Sequence, residues 1–155
     1  MADFDFGHLA ENAKVRADQT RDYTFDDLKG SPVLKCLPAT DENVAYRNER
    51  LGRINKRRKD LKRGINITPA LVAKARAEDR ELYARHCIKG WDRVNDKAGK
   101  PVPFSAEAAK AFLDAVPDYI FDEFRGWIGE PTNFTAETDP EDEDGEALGE
   151  FSPTT

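Results

Sequence analysis

Histidine and cysteine side chains can carry nucleophilic, acid–base or metal chemistry, and this chain of 155 residues has two of each. His8 lies in a segment without sustained periodicity, and His86 falls on the apolar stripe of a predicted helix, where we expect a core or boundary role. Cys87 is adjacent to His86, and neighbouring helical side chains point about 100° apart, which prevents a Cys–His pair. Cys36 lies in a predicted strand, so the two cysteines lack metal-ligand spacing.

Carboxylates and glycines also give no catalytic signature. Adjacent acids such as Asp26-Asp27 and Glu78-Asp79 occur at element starts or on polar faces, where solvated or capping roles are expected. The ten glycines form neither the dinucleotide-binding nor the Walker spacing. We therefore predict a protein that is not an enzyme, with no catalytic residue, no metal and no cofactor.

Aromatic side chains in the C-terminal half form the first candidate binding set. Their spacing predicts the core of a small α-rich domain, and a core of this size is modest enough to profit from a partner or a second subunit. We expect the uncovered edge of this aromatic face to contact a partner protein or a neighbouring subunit. The candidate residues are Trp91, Phe104, Phe112, Phe121, Phe124 and Trp127.

A basic stretch forms the second candidate set, because residues 47–64 hold nine basic and two acidic residues. It could contact phosphates through Arg53, Lys56, Arg57, Arg58, Lys59, Lys62 and Arg63. Aromatic residues do not interleave with these charges, and the chain is acidic overall, with a pI of about 5.0. We therefore do not expect nucleic-acid binding. Pairing of the stretch with the acidic C-terminal segment, within the chain or between subunits, is an equally economical alternative.

Helices and short strands must position these residues. Val33-Leu34-Lys35-Cys36-Leu37 is bounded by Pro32 and Pro38, which predicts an edge strand. A small β-hairpin is predicted from Gly90 through a turn at residues 96–99 to Phe104. Thr40 and Ser105 are predicted helix caps, and Thr68-Pro69 is predicted to begin a helix with proline at its first position. The predicted helices cover residues 41–62, 68–88, 105–116 and 117–128. The first of them is predicted to carry Val44, Leu51 and Ile54 on its apolar side.

The chain is predicted to be an α+β protein, mostly α-helical, with four or five helices, a small β-hairpin and edge strands. We divide it into a flexible N-terminal arm (1–22), an α-rich folded domain (23–134) and an acidic, disordered tail (135–155). Residues 137–155 hold eight acidic residues and no basic one. No apolar run reaches the ~18 residues of a membrane span, and the N-terminus lacks a signal peptide. Two cysteines fit a reducing compartment, so we expect a cytosolic location and no membrane partner.

An ordered series of short motifs resembles the tail assembly chaperones of tailed bacteriophages. The resemblance spans about residues 25–134 and depends on the order of the motifs rather than on any one of them. The chain departs from the family in its denser basic stretch and in Thr135, which replaces a basic residue. The series is 77–86, Gly90-Trp91, Pro101-Val102-Pro103-Phe104-Ser105, Leu113, Pro117-Asp118, Phe121-Asp122-Glu123 and Pro131-Thr132-Asn133-Phe134.

The resemblance implies a chaperone that binds and solubilises the tape measure protein in the host cytoplasm and leaves as the tail tube polymerises. The implied partners are the tape measure protein, further copies of the chain and other tail or virion proteins. One alternative is a virion structural protein of the neck, decoration or tail, with arms that order on neighbouring subunits. Another is a nucleic-acid-binding phage protein that uses residues 53–63.

Overall fold

Helices dominate the computed structural model, which describes residues 4–62 and 67–136, without the side chains of residues 59–62. Three short strands and two 3₁₀-helices (Gly7–Ala13 and Pro131–Phe134) complete the described part. This architecture confirms the α+β, mostly α-helical class. The elements in chain order are β1 (Arg21–Thr24), β2 (Val33–Cys36), α1 (Val44–Lys62), α2 (Pro69–His86), β3 (Ile88–Asp92), α3 (Ala106–Ala115) and α4 (Asp118–Ile128).

The strands form one antiparallel sheet in the order β1-β2-β3, in which Tyr23, Leu34 and Trp91 lie opposite one another. β2 is thus the central strand and not the edge strand that its flanking prolines predict. The reason is that Pro32 and Pro38 lie just outside the four paired residues, so every N–H within β2 remains able to pair. The carbonyl of Pro32 even extends the ladder by accepting the N–H of Phe25 at 2.9 Å.

A short hairpin follows β3. The N–H of Asp96 donates to the carbonyl of Lys100, and the N–H of Val102 donates to that of Val94, both at 2.9 Å. The Asp96 carboxylate accepts further N–H groups inside the turn, and Gly99 takes a φ of +81°, which favours glycine. The predicted turn is therefore present, but its paired arms are residues 94–96 and 100–102, because Gly90 and Trp91 belong to the sheet.

Side-chain caps begin helices α1, α2 and α3. Ser105 accepts the N–H of Ala108 at 3.0 Å, which confirms the predicted cap. Thr68 accepts the N–H of Leu71 at 3.2 Å, ahead of Pro69 at the first helical position. Helix α1 begins at Val44 rather than at residue 41. The prediction of Thr40 as its cap is wrong, because Thr40 lies four residues before Val44 and its hydroxyl makes no hydrogen bond to a described residue. The cap is the buried Asn43, whose side-chain oxygen accepts the N–H of Tyr46 while its amide donates to two backbone carbonyls.

The core lies between the sheet and helices α2, α3 and α4. Leu34 and Cys36 of β2 point into it together with Leu113, Phe121 and Ile128, all without exposed surface. Burial of these apolar side chains supplies the main stabilisation, at about 25 cal/mol per Å² of apolar surface.

The segments at both ends of the described chain join each other. Val15 pairs with Thr135, the N–H of Arg16 donates to the carbonyl of Phe134 at 2.7 Å, and the Arg21 guanidinium donates to the Thr135 carbonyl. We predicted an arm up to residue 22 and a tail from residue 135; in the structure the sheet begins at Arg21, and Thr135 is buried. Residues 1–3 of that arm and 137–155 of that tail lie outside the described residues. Within the described ranges, no helix combines the length and the apolar character that a bilayer-spanning segment needs.

Candidate functional site

Three aromatic rings meet at the surface where β3 faces α3, and we call this cluster the aromatic edge. Trp91 lies on β3, Phe104 lies just before α3, and Phe112 lies on α3. The ring of Trp91 is 5.2 Å from that of Phe104, in an edge-to-face contact, and 5.9 Å from that of Phe112. Phe104 is 36% exposed, and the other two rings are half-buried.

Two hydrogen bonds between side chains and the backbone fix the aromatic edge. The Trp91 indole N–H donates to the carbonyl of Val102 at 2.9 Å, which ties β3 to the hairpin. The Ser105 cap sets the start of α3, and thereby the position of Phe104 beside Trp91. The arrangement offers an apolar surface with fixed rings, the type of group that anchors protein interfaces.

The other three predicted aromatic residues lie elsewhere. Phe121 and Phe124 have no exposed surface and are core residues, so they offer nothing for a partner to contact. Trp127 is half-buried between β1 and the C-terminal 3₁₀-helix, with ring distances of 5.0 Å to Tyr23 and 5.1 Å to Phe134. Tertiary packing thus divides the six residues into a surface cluster, a separate tryptophan and a pair in the core.

Part of the predicted phosphate-contacting patch joins α1 to α2. Arg53 pairs with Glu49 at 2.6 Å and with Glu81 at 3.4 Å, and Arg57 pairs with Glu78 at 2.6 Å. Lys56 and Arg58 are exposed and have no ion pair with any described residue. The side chains of Lys59 and Lys62, and all of Arg63, lie outside the described residues. Of the four predicted residues whose side chains the structure describes, two therefore pair internally.

Glu49 is the centre of this α1–α2 joint. Its carboxylate accepts hydrogen bonds from Arg53 and, at 2.6 Å, from the Arg85 guanidinium. His86 Nε2 lies 3.0 Å from the same carboxylate. Partial burial opposes ionisation of Glu49, but the hydrogen bond with His86 and the charges of Arg85 and Arg53 outweigh it and lower the pKa of Glu49 below its usual value. His86 is thus a boundary residue that holds two helices together.

The cysteines lie in the core. Cys36 and Cys87 are free thiols without exposed surface. Burial raises the pKa of both thiols, which keeps them protonated and poorly nucleophilic at neutral pH. In the part of the chain that the structure describes, no three His, Cys, Asp or Glu side chains are placed to hold a metal ion.

An open cleft of about 770 Å³ separates α1 from α4, and α2 forms its floor. The ion pair between Arg125 and Asp79, at 2.6 Å, crosses the base from α4 to α2. Burial raises the pKa of Tyr46 to about 12 and also raises that of Tyr83, so both floor phenols are neutral. The lining of the cleft includes Asp41, Glu42, Tyr46, Arg50, Ile54, Arg57, Gly126 and Pro131.

The cleft was not apparent from the sequence, because the apolar spacing of Val44, Leu51 and Ile54 indicates a different buried face for α1. Val44 and Leu51 are 53% and 48% exposed, whereas Tyr46 is buried. The available signal was the spacing of Tyr46, Arg50, Ile54 and Arg57, which places one aromatic, one aliphatic and two cationic side chains on the same helix face.

Comparison with known proteins gives a family. A family model described as YdaY prophage protein matches residues 41–148, which is 108 of the 155 residues. The chain belongs to the YdaY prophage protein family. It is therefore phage-derived, and the YdaY match extends from the start of α1 through α4 into the acidic segment. Searches of curated proteins and of solved structures gave no match.

Proposed function

We propose that this YdaY-family protein is a non-enzymatic tail assembly chaperone, which binds and solubilises the tape measure protein in the host cytoplasm. The observation that carries the proposal is the aromatic edge: three contacting rings stay partly exposed, although Trp91 and Phe112 also pack against the core. Fixed aromatic rings with one open side are typical anchors for an apolar partner.

A helical partner fits this surface. A tape measure protein is long and helical, and an apolar helix stripe presents side chains at i, i+3, i+4 and i+7 to a flat apolar surface. Exposed cations, Lys89, Lys97 and Lys100, lie on β3 and the hairpin near the rings, so a partner helix with acidic flanks would gain from them. The proposed binding uses only contact surface and charge and requires no catalytic group.

Phe104 provides the test, because it is the most exposed ring of the cluster and belongs to no helix or strand. We expect Phe104→Glu to lower capture of the co-expressed tape measure protein at least tenfold, a loss of about 1.4 kcal/mol or more, since a charge would replace an anchor. Co-purification of the full-length proteins from the same prophage, with the soluble fraction of the tape measure protein, is the measurement.

Tyr119→Glu is the matched control, because Tyr119 is an aromatic residue on α4 that is 70% exposed. It should leave capture unchanged, and circular dichroism should show both variants folded. A folded Phe104→Glu variant that captures the tape measure protein as well as the wild type would refute the proposed surface.

A virion structural protein is the second candidate, and one observation favours it. Phe4, Phe6 and Leu9 are 79%, 63% and 69% exposed in and beside the N-terminal 3₁₀-helix, which has no buried residue. Apolar side chains left open in this way fit an arm that orders on a neighbouring subunit. The nucleic-acid alternative has less support, since Arg53 and Arg57 are engaged in internal ion pairs.

A further inference from the structure

Three arginines on one face of α1 have no carboxylate partner among the described residues. The spacing i, i+3, i+7 and i+11 places Arg47, Arg50, Ile54 and Arg58 along one side of the helix. Arg50 and Ile54 line the cleft, and Arg50 and Arg58 are exposed. Arg53 and Arg57 of the same helix, by contrast, are paired with acids of α1 and α2. We call Arg47, Arg50 and Arg58 the cationic ridge.

The chain itself supplies a complementary segment. Residues 137–155 hold eight acidic residues and no basic one, with apolar Leu148 and Phe151 near the end. They follow directly on the described chain, whose Pro131 lines the same cleft as Arg50. An extended chain spans at most about 3.3–3.6 Å per residue, so the eight residues 137–144 reach some 26–29 Å. The whole of α1 is about 28 Å long at 1.5 Å per residue, so the segment can reach the ridge.

We infer that the acidic segment, residues 137–155, is an intramolecular ligand of the cationic ridge, which borders the cleft at Arg50, with its carboxylates against Arg47, Arg50 and Arg58. Covalent attachment gives such a ligand an effective concentration in the millimolar range, so weak contacts suffice. The neutral tyrosine floor adds no repulsion. Asp41 and Glu42 at the other end of the cleft would repel the segment, which directs its acids toward Arg50 and Arg58.

This contact has a functional consequence that goes beyond the proposed chaperone role. The segment would cover the three arginines of the cationic ridge and so weaken the attraction of this helix face for nucleic acid. The family match supports a common role, because it begins at residue 41, before α1, and continues to residue 148, through most of the acidic residues. The inference does not involve the aromatic edge, and it stands or falls independently of tape measure binding.

Paramagnetic relaxation enhancement in the full-length protein tests the inference. Ala147→Cys accepts a nitroxide label selectively, since both native thiols are buried. We expect strong broadening of the α1 amides at Arg47, Arg50 and Arg58 in 50 mM salt and its loss in 500 mM salt. Arg50→Gln with Arg58→Gln should abolish the broadening. Lys56→Gln with Lys74→Gln, which removes two exposed charges from other faces, should preserve it.

Unbroadened α1 amides at low salt would overturn the inference, and so would broadening that survives Arg50→Gln with Arg58→Gln. A third contrary result is broadening found only when isotope-labelled wild-type protein is mixed with unlabelled, nitroxide-carrying protein. The last would place the contact between copies of the chain. Neutralisation of Glu141, Asp142, Glu143 and Asp144 to their amides should raise affinity for duplex DNA at least tenfold at low salt. An unchanged affinity, or equally tight binding by the wild type, would contradict the shielding.

Discussion

Arg80 shows how much of the packing depends on a single side chain. It is 9% exposed, and its guanidinium donates to the carbonyls of Leu113 and Val116 at 2.8 and 2.9 Å and to Asp118 at 3.0 Å. It also lies 4.3 Å from the centroid of the Phe121 ring. One arginine of α2 thereby satisfies the C-terminal carbonyls of α3 and fixes the start of α4.

At this scale we predict that Arg80→Met lowers the free energy of unfolding by about 3 kcal/mol, at about 1–3 kcal/mol for each lost hydrogen bond. The Val116 carbonyl loses the Arg80 donor, and the Leu113 carbonyl keeps only the N–H of Val116, at 3.2 Å. Methionine retains most of the apolar length, so the loss reports the hydrogen bonds. Urea unfolding at pH 7 measures it. Arg58→Met, at an exposed position, should change stability by no more than about 0.5 kcal/mol. Equal stabilities of the two variants would disprove the assigned role.

Helix α1 is attached to the domain differently from the other helices. Its apolar residues Val44 and Leu51 face solvent, while Tyr46 is buried and Glu49, Arg53 and Arg57 pair with α2. The position of α1 therefore depends on polar pairing more than on an apolar stripe. This explains why hydrophobic periodicity located the helix but misassigned its buried face.

The joint between α1 and α2 should respond to acid. The lowered pKa of Glu49 means that its ionised form is stabilised in the fold, so its contribution is present above the usual value of 4.5 and is lost as the pH falls through the folded value. We predict that Glu49→Gln costs about 1 kcal/mol at pH 7, through weaker bonds to Arg53, Arg85 and His86. The difference from wild type should shrink progressively below pH 4.5.

Chemical denaturation of both proteins from pH 3 to pH 7 provides the measurement for Glu49. Glu107→Gln, on the exposed first turn of α3, is the control and should show little difference at any pH. A cost for Glu49→Gln that is the same at pH 3 and pH 7 would mean that the carboxylate charge contributes nothing to the joint.

The molecule as a whole offers two separate surfaces, built by different elements. The aromatic edge belongs to β3, the hairpin and α3, whereas the cleft belongs to α1, α2 and α4. One is apolar with fixed rings, and the other is polar and contains Arg50, which pairs with no acid among the described residues. Under the two proposals, a helical partner would bind the first surface while the acidic segment contacts the cationic ridge beside the second.

For the whole protein, the chaperone proposal predicts abundance in lysate and absence from finished particles, because a chaperone is released as the tail tube forms. Quantitative mass spectrometry of purified particles against lysate, with a tail-tube subunit as the positive control, decides the point. Stoichiometric presence in particles would favour the virion structural protein and would assign the exposed Phe4, Phe6 and Leu9 to contacts between subunits.

Local physics determined much of the fold from sequence. The fold class, helices α2 to α4 and the Ser105 cap were predictable, because caps, prolines and apolar periodicity act within a few residues of the chain. The candidate aromatic residues were also predictable as a set, since large apolar side chains must find apolar contacts. The sequence by itself therefore defined the elements and the residues to examine.

Only the tertiary structure decided how these elements use their residues. The central position of β2 depends on both neighbouring strands, and the buried face of α1 depends on α2. The pairing of Arg53 and Arg57 with α2 depends on acids 28 and 21 residues away. The separation of the exposed Phe104 from the buried Phe121 and Phe124 is of the same kind. Exposure and ion pairing are set by contacts between segments distant in sequence, and no local pattern records them.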